Sequence, residues 1–203
     1  MKVNLYRHLL AGFAVLGGMV PASWSQQQYP GGGQQLKLRG VEAKSTETPE
    51  YDVRVRGAGG SNHGKGEWLE VRAEVDTAPR WVDEVTFKYY VLMEARSAED
   101  VPRKLNLFTG SVTYVNIPKG NRYRSAIYLD PFTHKRYGKV KYVAVEVVQQ
   151  GIVVDMDTDA KVQSKWWTQI DSPIPGRLLT KNDTPFAFVD YDEYPMIKRK
   201  AAQ

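Results

Sequence analysis

The sequence predicts an all-β protein in which two antiparallel sheets pack face to face. Three observations carry that prediction. Apolar residues recur at every second position through most of the chain. Glycine and proline punctuate the runs at short intervals, and no amphipathic helix follows the first 25 residues. Eight or nine short strands at this spacing make a sandwich. An immunoglobulin-like Greek key is its natural winding, although the Cys…Trp…Cys signature of antibody domains is absent; a closed antiparallel barrel is the alternative.

The chain begins with an address rather than a fold. Lys2 and Arg7 precede an apolar run of a dozen residues, Leu9–Val20, and small Ser23 and Ser25 stand at −3 and −1 of a cut before Gln26. That is the three-part pattern of a secretory signal peptide over residues 1–25, and the run is short for a membrane span. No later stretch is apolar enough to cross a bilayer, and the chain has no cysteine to carry a lipid or a disulfide. An exported domain without disulfides depends on packing alone. Losing Lys2 and Arg7 takes the formal charge from +5 to +3, a mild and dispersed basicity that does not point to nucleic acid.

Residues 26–50 open with the Gln/Gly tract "QQQYPGGGQQ" and read as a flexible leader, with ordered structure starting between Leu36 and Tyr51. The sandwich is expected over 51–170. A strand at Tyr51–Arg56 comes first. In "EWLEVRAEV", Leu69, Val71, Ala73 and Val75 share one face, and Trp68, Glu70, Arg72 and Glu74 the other. In "EVTFKYYVLM", Val85, Phe87, Tyr89, Val91 and Met93 face away from Glu84, Thr86, Lys88 and Tyr90. In "RYRSAIYL", Tyr123, Ser125, Ile127 and Leu129 oppose Arg122, Arg124, Ala126 and Tyr128. Further strands are expected at Lys104–Phe108, Ser111–Ile117, Val140–Gln149, Ile152–Asp155, Val162–Ile170 and Phe186–Val189. Pro118–Gly120 and Gly151 supply turns, and Ser97–Asp100 and Pro131–Tyr137 each allow one helical turn. The tail, 171–203, packs Phe186 and Phe188 on the domain edge and ends in a basic, frayed "KRKAAQ".

Motifs that suggest chemistry do not survive inspection. "GAGGSNHGKGEW" spaces Gly59 and Gly64–Lys65 like a phosphate loop, but Gly66 replaces the metal-reaching Ser/Thr and a strand follows where a helix should. Asp155, Asp157 and Asp159 match the first positions of a calcium loop, yet Ala160 and Trp166 occupy the places of its glycine and glutamate. His63 and His134 lie in polar loops without zinc-ligand spacing, and no elbow motif marks a serine nucleophile. No catalytic, cofactor-binding or metal residue is assigned, and no cofactor is implied.

Outward aromatics carry the remaining signal. Trp68, Tyr90 and Tyr128 fall on strand faces beside charges, where flat rings stack on sugars or bury in interfaces, and Arg122 and Arg124 share the Tyr128 face. In a strand over Val162–Ile170, Trp166 points to the core and Trp167 points out. Trp167 then needs a cover: the Phe186–Val189 segment, another subunit or a ligand.

The stretches "EWLEVRAEVDTAPRWVDEVTFKYYVLMEARSAEDVP", "KVKYVAVEVV" and "KWWTQIDSPIPGRLLTKNDTPFAF" resemble the pilus-like exported proteins encoded with type IV pilus genes in Akkermansia-type Verrucomicrobia. The resemblance implies an immunoglobulin-like sandwich, export to the periplasm, outer membrane or cell surface, and a role in pilus-like assembly or adhesion. It also implies a homo-oligomer that works with other pilus-associated or surface proteins; a glycan-binding module using the outward rings is the alternative. One departure separates the chain from true pilins. Its apolar run lies before the expected cut, so no N-terminal helix is left to polymerise.

Overall fold

The computed structural model describes residues 36–50, 66–77, 80–97, 99, 101, 103–161 and 165–199. The signal-peptide pattern, the Gln/Gly tract, the expected Tyr51–Arg56 strand, the glycine loop to Lys65 and the last residues of the basic end lie outside them. Ten strands occur among the described residues. They are β1 Leu36–Glu47, β2 Glu67–Thr77, β3 Val82–Glu94, β4 Leu105–Ile117, β5 Gly120–Leu129, β6 Lys139–Gln149, β7 Ile152–Thr158, β8 Ile174–Pro175, β9 Leu178–Thr180 and β10 Met196–Ile197. One helix, α1 (Pro131–Tyr137), joins β5 to β6. The first sheet has the order β1-β2-β5-β9 and the second β10-β4-β3-β6-β7, with β8 added beside β4. From β1 to β7 the chain crosses between sheets after β2, β4 and β5, the Greek-key winding of an immunoglobulin-like sandwich, and the tail crosses again after β8 and β9. No closed barrel forms.

Period-two alternation builds the core as expected. Val71, Ala73, Val75, Ile127 and Leu129 of the first sheet meet Phe87, Tyr89, Val91, Phe108 and Val145 of the second, all buried. Two tyrosines tie the layers together through polar ends that must be satisfied inside. The Tyr89 hydroxyl donates to Ser125 Oγ at 2.7 Å, and the Ala126 N–H donates to the Tyr114 hydroxyl at 3.2 Å. Burial pushes the Tyr114 phenol up to about 12. At one corner the Leu38 N–H of β1 donates to Asp155 of β7 at 2.9 Å, and the Val143 N–H of β6 donates to Asp159 at 2.7 Å. Two of the three aspartates of the calcium-like spacing are therefore engaged with backbone.

Several expected boundaries are corrected. Residues 36–47 are not leader but a 12-residue strand antiparallel to β2, so the sandwich begins at the early edge of the range the sequence allows. The two strands expected at 104–108 and 111–117 are one. Gly110 between them is no turn; a Cβ there would stand 2.7 Å from side-chain atoms of Ile127 and Leu178, so the strand continues through it as the residue small enough for the facing sheet. The described part of the expected Val162–Ile170 strand, residues 165–170, is not a strand, and neither is Phe186–Val189. A 3₁₀ turn occupies Trp166–Gln169, and consecutive turns run through 186–189. The tail, expected as an appendage, completes both sheets: β9 pairs with β5, and β8 and β10 pair with β4.

Local chemistry sets the turns. Asp130 caps α1 by accepting the N–H groups of Phe132 and Thr133 at 3.0 and 3.1 Å, with Pro131 opening the helix. Gly138 ends it at φ 88°, where a Cβ would stand 2.4 Å from the Glu94 carbonyl. Gln150 and Gly151, at φ 50° and 81°, form the two-residue turn of the β6–β7 hairpin. Near the end of β2, Asp76 pairs with Arg39 and accepts the Arg122 N–H at 3.0 Å. Arg122 sits at φ 60°, so this carboxylate holds the left-handed residue at the start of β5.

Two outcomes follow. Gly138→Ala meets both a positive φ and backbone without room, and should cost about 2–4 kcal/mol, while Gly151→Ala, open to solvent, should cost only about 1 kcal/mol; urea unfolding of the two variants measures the difference. The Arg39 guanidinium holds the Asp76 carboxyl below its usual 3.8. A depressed folded-state pKa contributes stability above the unfolded value and loses it as pH falls through the folded value. Asp76→Asn should therefore be less stable than the parent at pH 6, with the gap closing below about pH 3.8.

Candidate functional site

The outward aromatics do not form an open platform. Trp68 and Tyr128 are corrected to buried residues, exposed by 9% and 2%. Alternation places them outside the first sheet, as the sequence implies, but the tail then covers them. Phe186 stacks on Tyr128 with ring centres 4.9 Å apart and meets Trp68 edge-on at 5.6 Å. The Trp68 indole N–H donates to Thr48 Oγ at 3.1 Å. The cover is held at polar points. Lys181, 3% exposed, donates to the carbonyls of Ala187 and Val189 and lies 4.4 Å over the Tyr194 ring. Tyr194 and Tyr128 both donate to the buried Glu70, at 3.3 and 3.4 Å, and Lys44 pairs with it at 3.1 Å. Burial pushes the Tyr194 phenol up to about 12 and the Lys181 ammonium down.

Arg124 and Arg122 are likewise committed elsewhere. Arg124 pairs with Glu193 of the tail, and the Arg122 backbone serves Asp76. Neither guanidinium takes the Tyr128 face, which carries Phe186.

The second sheet has its own cover, built by the tryptophan pair. Trp167 is buried, not outward. The 3₁₀ turn sets neighbouring side chains about 120° apart, so both can lean onto one surface, whereas a strand would send them to opposite faces. Both rings therefore land on Leu92, Leu107 and Ala144. Trp167 stacks on Tyr90 at 5.2 Å and meets Trp166 edge-on at 5.5 Å. Trp166 donates to Thr158 Oγ at 3.0 Å, while the Trp167 indole nitrogen is buried without a partner. The half-buried Tyr90 donates to Glu146 at 2.9 Å; burial, and then that carboxylate, push its phenol well up, and Lys165 pairs with the same carboxylate at 3.4 Å. The cover of Trp167 is thus Tyr90, and the Phe186 segment serves the opposite sheet. Proline spacing after the pair was the only sequence signal of a turn.

Two surfaces remain. A groove of about 920 Å³ runs along the outer edge of β4, between Lys88, Tyr90 and Ser111 on one side and Leu178, Asn182, Asp183 and Lys198 on the other. Beyond the tryptophan cover, the outer face of the second sheet is bare toward the β6–β7 turn. Among the described residues, Val153 and Met156 of β7 are 40% and 45% exposed at one edge of that face and Met196 of β10 is 61% exposed at the other, with Glu84 and Lys88 of β3 between them. Trp81 and Phe132 are exposed at the ends of the sandwich. Among the described residues no cluster of three His, Cys, Asp or Glu side chains could hold a metal, and no helix is long and apolar enough to cross a membrane. His134 lies exposed against the Glu67 carbonyl.

Comparison with known proteins places this geometry. A protein-family model matches residues 27–201. A crystal structure from Akkermansia muciniphila is 26% identical and superposes with a TM-score of 0.68, over 82% of this chain and 93% of that one. No curated protein matches.

Removing the hub of the first cover tests its weight. Phe186→Ala should lose about 3–5 kcal/mol of stability in urea unfolding and shift Trp68 fluorescence to the red. An unshifted spectrum would show that Phe186 does not shield the indole.

Proposed function

Since the chain belongs to the family whose model spans residues 27–201, we propose that it is an exported, non-enzymatic β-sandwich that self-associates in a pilus-like or cell-surface assembly and adhesion system. Export rests on the basic, apolar and small-residue pattern of residues 1–25. One observation carries self-association. Among the described residues, the outer face of the first sheet is roofed by the tail and half of the second by the tryptophan turn, which leaves Val153, Met156 and Met196 exposed along the two edges of the other half. Apolar side chains along both edges of a sheet face, with charges of both signs between them, suit burial against a second copy. Likeness to the Akkermansia muciniphila structure, at 26% identity, supports the sandwich and an Akkermansia-type origin.

The bare half-face yields a direct trial. Sedimentation velocity of the chain from Gln26 should show association that grows with concentration. Val153→Lys combined with Met196→Lys should give a monomer, with folding stability within about 0.5 kcal/mol of the parent because both side chains are exposed. A parent that stays monomeric at the highest attainable concentration would sink the reading. In a Trp81→Phe background, which removes the exposed indole among the described residues, titration with mucin glycans should leave Trp fluorescence unchanged, since Trp68, Trp166 and Trp167 are covered.

A further inference from the structure

Sulfur chemistry is confined to methionine in this chain, which has no cysteine. Met1 and Met19 fall within residues 1–25, so the chain from Gln26 keeps Met93, Met156 and Met196. The fold treats these thioethers in two ways. Met93 lies in the core between the sheets and is fully buried, whereas Met156 and Met196 are 45% and 61% exposed.

Strand register places both exposed thioethers on one face. Met156 of β7 stands opposite Glu146 of β6, whose carboxylate takes the Tyr90 hydroxyl on the outer side of the second sheet. Met196 of β10 stands opposite Val115 of β4, while its neighbour Ile197 stands opposite the core residue Tyr114. Opposed residues share a face and neighbours alternate. Both methionines therefore project from the outer face, one at each edge. Glu84 and Lys88, opposite Val115 and Glu146, lie on the same face between them.

Methionine suits a contact surface because it is unbranched and polarizable. It is also open to two-electron oxidation. Transfer of one oxygen from hydrogen peroxide to the sulfur breaks the O–O bond, oxidises the thioether to a sulfoxide and reduces the peroxide to water. The new oxygen is a polar acceptor. Burying it without a donor, against the apolar surface of a second copy, disfavours the contact.

We propose that Met156 and Met196 are oxidation sites, and that their conversion to sulfoxide by a peroxide disperses the self-associated form. The second part rests on the self-association reading above; the first does not. Burial withholds Met93 from the same oxidant, so the core stays intact while the surface changes.

Peptide mass mapping and sedimentation velocity of the chain from Gln26, before and after dilute hydrogen peroxide, test both parts. The Met156 and Met196 peptides should each gain one oxygen while the Met93 peptide stays unmodified. The dissociation constant should rise about tenfold or more, and methionine sulfoxide reductase should restore it. Met156→Leu combined with Met196→Leu keeps both side chains apolar, so that variant should associate as the parent does and ignore peroxide. Equal oxidation of Met93, unchanged association of the oxidised parent, or an equal loss of association in the leucine variant overturns the proposal. A parent that does not associate before oxidant is added sinks the self-association reading and the dispersal with it, while the mass map still decides the oxidation sites.

Discussion

A sandwich of two amphipathic sheets buries its inner faces against each other, but in this protein the outer faces are also rich in rings. Trp68 and Tyr128 stand outside one sheet, Tyr90, Leu92 and Leu107 outside the other. That second hydrophobic demand governs the rest of the structure. The chain meets it with its last forty residues, which fold into turns placing Trp166 and Trp167 on one sheet and Phe186 on the other. The β8, β9 and β10 segments are where this covering strap touches a sheet edge and pairs with it.

The covers differ in chemistry, and so in how they are held. Over the first sheet the strap is pinned by a buried ammonium, Lys181, and by the carboxylate of Glu70, which receives two tyrosine hydroxyls and faces Lys44. Buried charges persist only with such partners, and removing one would leave the others uncompensated. Over the second sheet the contact is mainly ring on ring, with one indole nitrogen unsatisfied beneath it. Packing with polar pins replaces disulfides in a chain that has no cysteine. Inside, the Tyr89–Ser125 and Tyr114–Ala126 hydrogen bonds fix how the two sheets align, since a slip of either would bury a hydroxyl or an amide without a partner.

The proposed self-association turns on what the strap leaves uncovered. It consumes the outward rings that would have stacked on a sugar and leaves the half-face of Val153, Met156 and Met196. The edges are managed separately. Asp155 takes a backbone N–H of β1 at one corner, and the β4 edge is paired on both sides of Ser111. Blunted edges and a bare face favour face-to-face contact over strand addition.

The sequence by itself determined the layers. Period two in β2, β3 and β5 sorted inner from outer residues correctly, because side-chain direction along a strand is a local property of the backbone. It also allowed a helical turn at Pro131–Tyr137, where α1 forms, and marked the hairpin turn through Gly151. What only the tertiary structure decided is the state of the outer residues. Trp68 is outward by alternation and buried in fact, since its cover lies more than a hundred residues later in the chain. The Trp166–Trp167 pair could be read as a strand because its neighbours are mixed. It is a turn because Leu92, Leu107 and Ala144 need both rings on one side, and that need arises only once β3, β4 and β6 lie together. Local rules assign a side chain to a face; whether that face meets water depends on segments that arrive from elsewhere.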